Sequence, residues 1–204
     1  MRKFLTTLTA LFALFLFGIS TPQAEEMDYP PAMFYYVEGG SAHMYGVIDH
    51  TALKRLKALM KKHPDIHTLE LMNVEGSVDD LSNFKLCDYI RSKGLNTHVP
   101  AFGLIASGGT DLFAAGVKRT ADKGAHIGVH TWATDNRFGN VETGAELSKK
   151  HPVHKPYLKY FKKMGIPEAF YWFTLDAAPE DEIHWMSESE LIQYKLLTLP
   201  ESEK

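Results

Sequence analysis

Along the chain, apolar positions change their spacing in a way that predicts most of the elements. Between Thr51 and His63, Leu53, Leu56, Leu59 and Met60 recur on one helical face. Lys54, Arg55, Lys57, Lys61 and Lys62 take the other, and Pro64 stops the run. Asp79 to Lys93 reads as a second helix closed by Gly94. Short β-type runs lie at Phe34 to Val37 and at Tyr45 to Asp49, separated by Gly39-Gly40, and at His67 to Val74, where Leu69 and Leu71 alternate with polar neighbours. Two more follow at Thr97 to Phe102 and at His126 to His130, with a small-residue helix between them from Ser107 to Ala115, ended by Gly116. Counted from Tyr45, this order is β-α-β-α-β-α-β, which predicts an α/β domain with a mostly parallel sheet built from βα repeats. Right-handed crossovers then bring the strand C-termini, and any site, to one edge.

The last third reads as helical. Thr143-x-x-Glu146 and Ser187-x-x-Glu190 both carry the capping-box pattern, and Leu158, Phe161 and Met164 give one segment an apolar face. Pro152 and Pro156 must kink or divide it. The cluster Phe170-Tyr171-Trp172-Phe173 reads as core or as a lid under the final helix, with a hydrophobic substrate wall as the other use.

The N-terminus differs from all of this. Met1-Arg2-Lys3 precedes a nearly continuous apolar run from Phe4 to Ile19, then Ser20-Thr21-Pro22-Gln23-Ala24 and the acidic Glu25-Glu26. A basic start, an apolar stretch and a small-residue zone predict a signal peptide over residues 1–24 and an exported domain over 25–204, placed in the periplasm or outside the cell. The run is interrupted by Thr6, Thr7 and Thr9 and is shorter than the roughly 20 residues that span a bilayer, although an uncleaved anchor is the competing reading. No second apolar segment is long enough to span a membrane after processing.

Charge and cysteine content narrow the classes further. The formal net charge of −3 becomes more negative without Arg2 and Lys3, which leaves no basic footprint for nucleic acid. Cys87 is the single cysteine, so neither an internal disulfide nor a multi-cysteine zinc site can form. Its spacing from Phe84 and Ile90 predicts a buried position on a helix. The paired histidines His63/His67 and His151/His154 each straddle a proline and have no carboxylate in a zinc pattern, so no metal and no other cofactor is expected.

Three strand-to-loop junctions hold residues suited to chemistry. In Asn73-Val74-Glu75-Gly76-Ser77-Val78-Asp79-Asp80, Gly76 can aim a backbone N–H at a bound oxygen, or can simply serve an ordinary turn. In Gly103 to Asp111, Ser107 stands at a helix start among small residues, beside the N–H of Gly108; this suits a nucleophile next to an oxyanion donor, and taken alone suits an N-cap more often. His130 ends an apolar strand where it could accept the Ser107 proton, or could be a hydrogen-bonded structural histidine.

Gly76-Ser77-Val78, Ala106-Ser107 with Leu112-Phe113-Ala114-Ala115-Gly116 and Arg119, and Ala125-His126-Ile127-Gly128-Val129-His130 together resemble the Clp protease proteolytic subunit of the crotonase superfold, and more closely its exported bacterial relatives. The resemblance spans about residues 45–132 well and 165–198 weakly. It implies a Clp/crotonase-like fold with a serine hydrolase activity, a peptidase in the first instance, acting on a peptide or small acyl substrate. Ser107 would be the nucleophile, His130 the base, and the N–H groups of Gly76 and Gly108 the oxyanion hole. The third catalytic residue falls by position within Asp176-Ala177-Ala178-Pro179-Glu180-Asp181-Glu182, with Asp181 the first choice and Asp176 the second. Relatives of this fold often form rings or trimers, so a homo-oligomer is also implied.

The chain departs from the family at Glu75, which replaces the first glycine of a Gly-Gly turn, and at Ile105 and Gly109, where exported relatives often carry cysteines. A carboxylate beside an oxyanion hole opposes the developing charge unless it points away. Glu75 therefore motivates the alternative function, a catalytically degenerate Clp-like binding or assembly protein. An acyl-thioester enzyme of the crotonase kind is a third reading, opposed by export away from coenzyme A.

Overall fold

The computed structural model describes residues 29–135 and 139–198; the leader expected over residues 1–24 lies outside them. The chain enters through β1 (Met33–Val37) and β2 (Ser41–Tyr45), an antiparallel pair. Then α1 (Ala52–Lys62), β3 (Thr68–Val74), α2 (Asp80–Ser92), β4 (Asn96–Val99), β5 (Leu104–Ala106), α3 (Gly108–Ala114), β6 (Arg119–Ala121) and β7 (His126–Val129) follow. The alternation of helix and strand spacing is thus realised, and the sheet is mostly parallel. The remaining elements are the hairpin β8 (Ala133–Asp135) and β9 (Val141–Thr143), then α4 (His154–Met164), α5 (Glu168–Ala177), β10 (His184–Trp185) and α6 (Glu188–Gln193).

The sheet divides at β3. Thr68 to Glu70 pair with β4, which leads to β6, whereas Asn73 and Val74 pair with β5, which leads to β7 and the antiparallel β10. The division corrects the expectation of one strand from Thr97 to Phe102. At Pro100 to Gly103 the chain turns, with Phe102 at φ +66°, and β5 then starts on the other half of β3. The strand expected over Tyr45 to Asp49 also moves earlier. Gly46 holds φ +89° with its α-carbon against the Pro30 and Pro31 carbonyls, a position no side chain could share, so Val47 and Ile48 form isolated bridges instead.

Caps explain the helix boundaries. Asp79 accepts hydrogen bonds from the Leu81 and Ser82 N–H groups and starts α2. Ser187 and Glu190 form the reciprocal capping box of α6. At Thr143 only half of the pattern forms, with Glu146 Oε2 accepting from Thr143 N–H and Oγ1 at 3.1 and 3.0 Å, and β9 ends there with no helix following. Pro152 precedes α4 and Pro156 sits in its first turn, where a missing N–H costs nothing. The buried side chains form one cluster, in which Phe113, Phe161, Phe170 and Tyr171 are the largest. Phe170 and Phe173 pack on Tyr194 at the end of α6, so this part of the aromatic cluster supports the final helix. Cys87 is fully buried, and burial pushes its thiol well above the ordinary range.

Candidate active site

Strands β3, β5 and β7 are parallel neighbours, with Asn73 opposite Leu104 and Ala106 opposite Gly128. Their C-termini therefore deliver Gly76, Ser107 and His130 to one edge, although the three are far apart in sequence. Ser107 donates its backbone N–H to Gly128 O at 3.1 Å and holds φ +52° and ψ −126°. That region is essentially closed to residues bearing a β-carbon, so the conformation costs free energy that the surroundings must offset.

The surroundings do so with close backbone packing. A β-carbon on Gly108 would meet Ser77, and one on Gly109 would meet Val74, so only glycine lets α3 approach the end of β3. Asn83, fully buried on α2, donates Nδ2 to Gly108 O at 2.8 Å, and Thr110 Oγ1 donates to Gly128 O at 2.7 Å. These two side chains position the turn, and sequence inspection assigned them no role. Ser107 occupies the N-cap place of α3, but its hydroxyl makes no capping hydrogen bond. Among the described residues, the N–H groups of Gly76 and Gly108 are spent on no turn or loop hydrogen bond.

His130 is half-buried, and its Nδ1 is inaccessible without a hydrogen-bond partner. Burial holds its pKa below the ordinary histidine value. The Glu180 backbone carbonyl, the Glu180 charge and the Asp80 charge counter part of that effect, with the carbonyl near the ring but Nδ1 outside normal hydrogen-bond geometry. Ser107 and His130 line one cleft of about 780 Å³, together with Ser77, Leu81, Phe84 and Glu180. They also line a smaller chamber of about 40 Å³.

The segment 176–182 reaches His130 through Glu180. Asp181 is exposed and lines neither cavity, and Asp176 is exposed on a separate depression shared with Thr131 and Glu180. Glu75 is exposed, accepts a hydrogen bond from Asn73 Nδ2 at 3.1 Å, and lines a different groove with Tyr29, Met33 and Tyr45. Its carboxylate is absent from the lining of both cavities at Ser107. Asp80 is a further site residue; it accepts from Ser77 Oγ at 3.1 Å and from the Tyr157 hydroxyl of α4. The acidic pair Asp79-Asp80 was visible in sequence, but nothing local linked it to Tyr157.

No family model and no curated protein matches the chain. Among solved structures, it is similar to a point mutant of a membrane-bound stomatin-specific protease, at 11% identity over 77% of this chain and 79% of that chain, with a TM-score of 0.50. A second mutant of that protease, in complex with a substrate peptide, gives 12% identity over 74% and 71%, with a TM-score of 0.49. Human enoyl coenzyme A hydratase domain-containing protein 3 gives 13% identity over 85% and 72%, with a TM-score of 0.48. At these identities the likeness concerns architecture alone, and the architecture is mixed α/β with a mostly parallel sheet.

Proposed function

We propose that this protein is an exported serine hydrolase, a peptidase, in which Ser107 is the nucleophile and His130 the general base. The observation that carries the reading is the Ser107 backbone. A serine held at φ +52° and ψ −126° in a strand-to-helix turn, with its hydroxyl free of any cap bond and on a cleft shared with a half-buried histidine, suits a presented nucleophile.

In this reading Ser107 Oγ bonds to the carbonyl carbon of an amide or ester, and its proton passes to His130. The carbonyl electron pair moves onto oxygen, where the N–H groups of Gly76 and Gly108 receive it. Collapse of the adduct breaks the bond to the leaving amine or alcohol, which takes the proton from His130. Water then repeats the sequence and releases the acid. A lowered pKa keeps His130 neutral, as a base requires. For the third role we assign Glu180, the residue of segment 176–182 that acts on His130, ahead of Asp181 and Asp176. A cleft of this volume has room for a short stretch of peptide. Export rests on the leader pattern of residues 1–24. Among the described residues, no helix is long and apolar enough to cross a membrane.

The test is covalent labelling of purified protein by a fluorophosphonate. Wild type is expected to gain one adduct on Ser107, with Ser107→Ala unlabelled and His130→Ala slowed by at least about a hundredfold. Equal reaction of wild type and Ser107→Ala would overturn the assignment.

A further inference from the structure

The small chamber behind Ser107 has a chemical character that the hydrolase reading does not use. Two carboxyl side chains, Asp80 and Asp111, line it, and neither lysine nor arginine does. Asp80 already accepts hydrogen bonds from Ser77 and Tyr157. Asp111 differs: it is partly buried on the chamber, and no hydrogen bond or ion pair to its carboxyl group is formed among the described residues. The nearby Tyr160 hydroxyl donates to the Asp111 backbone carbonyl instead. Burial, with Asp80 adding to it, raises the Asp111 pKa well above the usual carboxylate range. A partly buried carboxyl group without a partner, beside a second carboxyl group, is open to pairing with a cation.

The walls indicate what that is. Trp132, Tyr157 and Tyr171 stack in sequence, with ring centroids 5.8 and 5.2 Å apart, and all three line the chamber. Aromatic walls around two carboxyl groups suit an organic cation on an apolar stem, through apolar contact along the stem and charge-assisted hydrogen bonds at its head. A hard metal ion would want six or more oxygen ligands, and the described residues hold no group of three histidine, cysteine or acidic side chains able to bind one. At about 40 Å³ the chamber admits a few water-sized groups, which fits a compact ammonium on an alkyl stem better than a planar guanidinium.

We infer that this chamber is the subsite for a primary-ammonium side chain, that of a lysine whose own carbonyl is attacked by Ser107, with Asp111 and Asp80 as its carboxyl partners. The inference rests on Ser107 being the nucleophile, and it names the substrate class that nucleophile would serve.

Two diphenyl phosphonate probes test it on the purified full chain, one carrying a lysine side chain and one the neutral norleucine side chain. In each reaction Ser107 Oγ bonds to phosphorus, phenol leaves with the proton relayed by His130, and the adduct is read by intact mass. The lysine probe is expected to react at least about tenfold faster with wild type, and the ratio to fall towards unity in Asp111→Asn. Asp80→Asn should lower the same ratio, which gives a second reading if one variant fails to fold. Equal rates for the two probes, with fluorophosphonate labelling of Ser107 intact, would overturn the subsite and leave the hydrolase reading standing. A wild-type preference that survives in both variants would overturn the assigned carboxyl groups. Failure of every probe, fluorophosphonate included, to mark Ser107 would remove the hydrolase reading and the subsite with it.

Discussion

Gly76 faces the Ser107 side chain: a β-carbon built on Gly76 would lie 3.6 Å from Ser107 Cβ and 3.9 Å from its Oγ. These are ordinary contact distances, and the Gly76 backbone needs no positive φ. Alanine at this position should therefore fold, while its methyl group crowds the space an acyl oxygen must enter. Gly76→Ala is expected to keep stability within about 1 kcal/mol of wild type and to lose at least about tenfold in fluorophosphonate labelling. Gly108→Ala should behave differently, because its β-carbon would lie 2.7 Å from Ser77 Cβ and 2.9 Å from Ser77 N. A cost of about 1–3 kcal/mol is expected there, measured by urea denaturation.

The strain at Ser107 makes a separate prediction. Glycine occupies φ +52° and ψ −126° far more readily than alanine does. Ser107→Gly and Ser107→Ala should both be inactive, with the glycine variant more stable by about 1–2 kcal/mol. Coincident melting curves for the two variants would contradict a strained nucleophile turn.

Two histidines, one buried and one half-buried, set a pH window. Burial lowers the pKa of both His130 and His154. The folded protein therefore binds these protons less tightly than the unfolded chain, whose histidines titrate near about 6.5. As pH falls through that value, proton uptake favours the unfolded state, so stability falls over this range and the two groups contribute no pH dependence well above it. The melting temperature is expected to fall between about pH 7 and pH 5, and His154→Gln should flatten the slope. The capping carboxylates Asp79 and Glu190, with pKa values lowered chiefly by hydrogen bonds from Ser82 and Ser187, lose their contribution only at lower pH, below about 4.

Asp111 predicts the opposite sign. Its folded pKa is raised by burial, so ionisation above the unfolded value of about 4 works against folding at neutral pH. Asp111→Asn is expected to raise the melting temperature at about pH 7 by a few degrees, in the same protein that loses lysine selectivity. A lower melting temperature would mean that the carboxyl group serves the fold and not a ligand.

Much of the architecture was written locally. The spacing of Leu53, Leu56, Leu59 and Met60, the Asp79 cap and the Ser187/Glu190 box each describe interactions within one or two turns, and α1, α2 and α6 formed as read. Misreadings occurred where a distant part of the chain decided the outcome. The Pro30 and Pro31 carbonyls against Gly46 shortened one strand, and the two halves of β3 split another. Glu146 reached back to Thr143 without a helix following, because that contact is local and helix continuation is not.

The candidate site divides in the same way. Sequence alone determined that a serine follows one strand among glycines, that a histidine ends the next, and that one of a few acids follows much later. Only tertiary structure decided that Ser107 takes a strained backbone angle, that Glu180 is the member of its segment sharing the cleft with His130, that Glu75 lines another groove, and that Asp111 shares a chamber with Tyr157 and Tyr171 from later helices. The physical reason is range. Caps and periodicity act over a few residues, whereas strain, desolvation and the meeting of side chains depend on everything packed against a group, and parallel pairing of β3, β5 and β7 places those neighbours tens of residues apart in the chain.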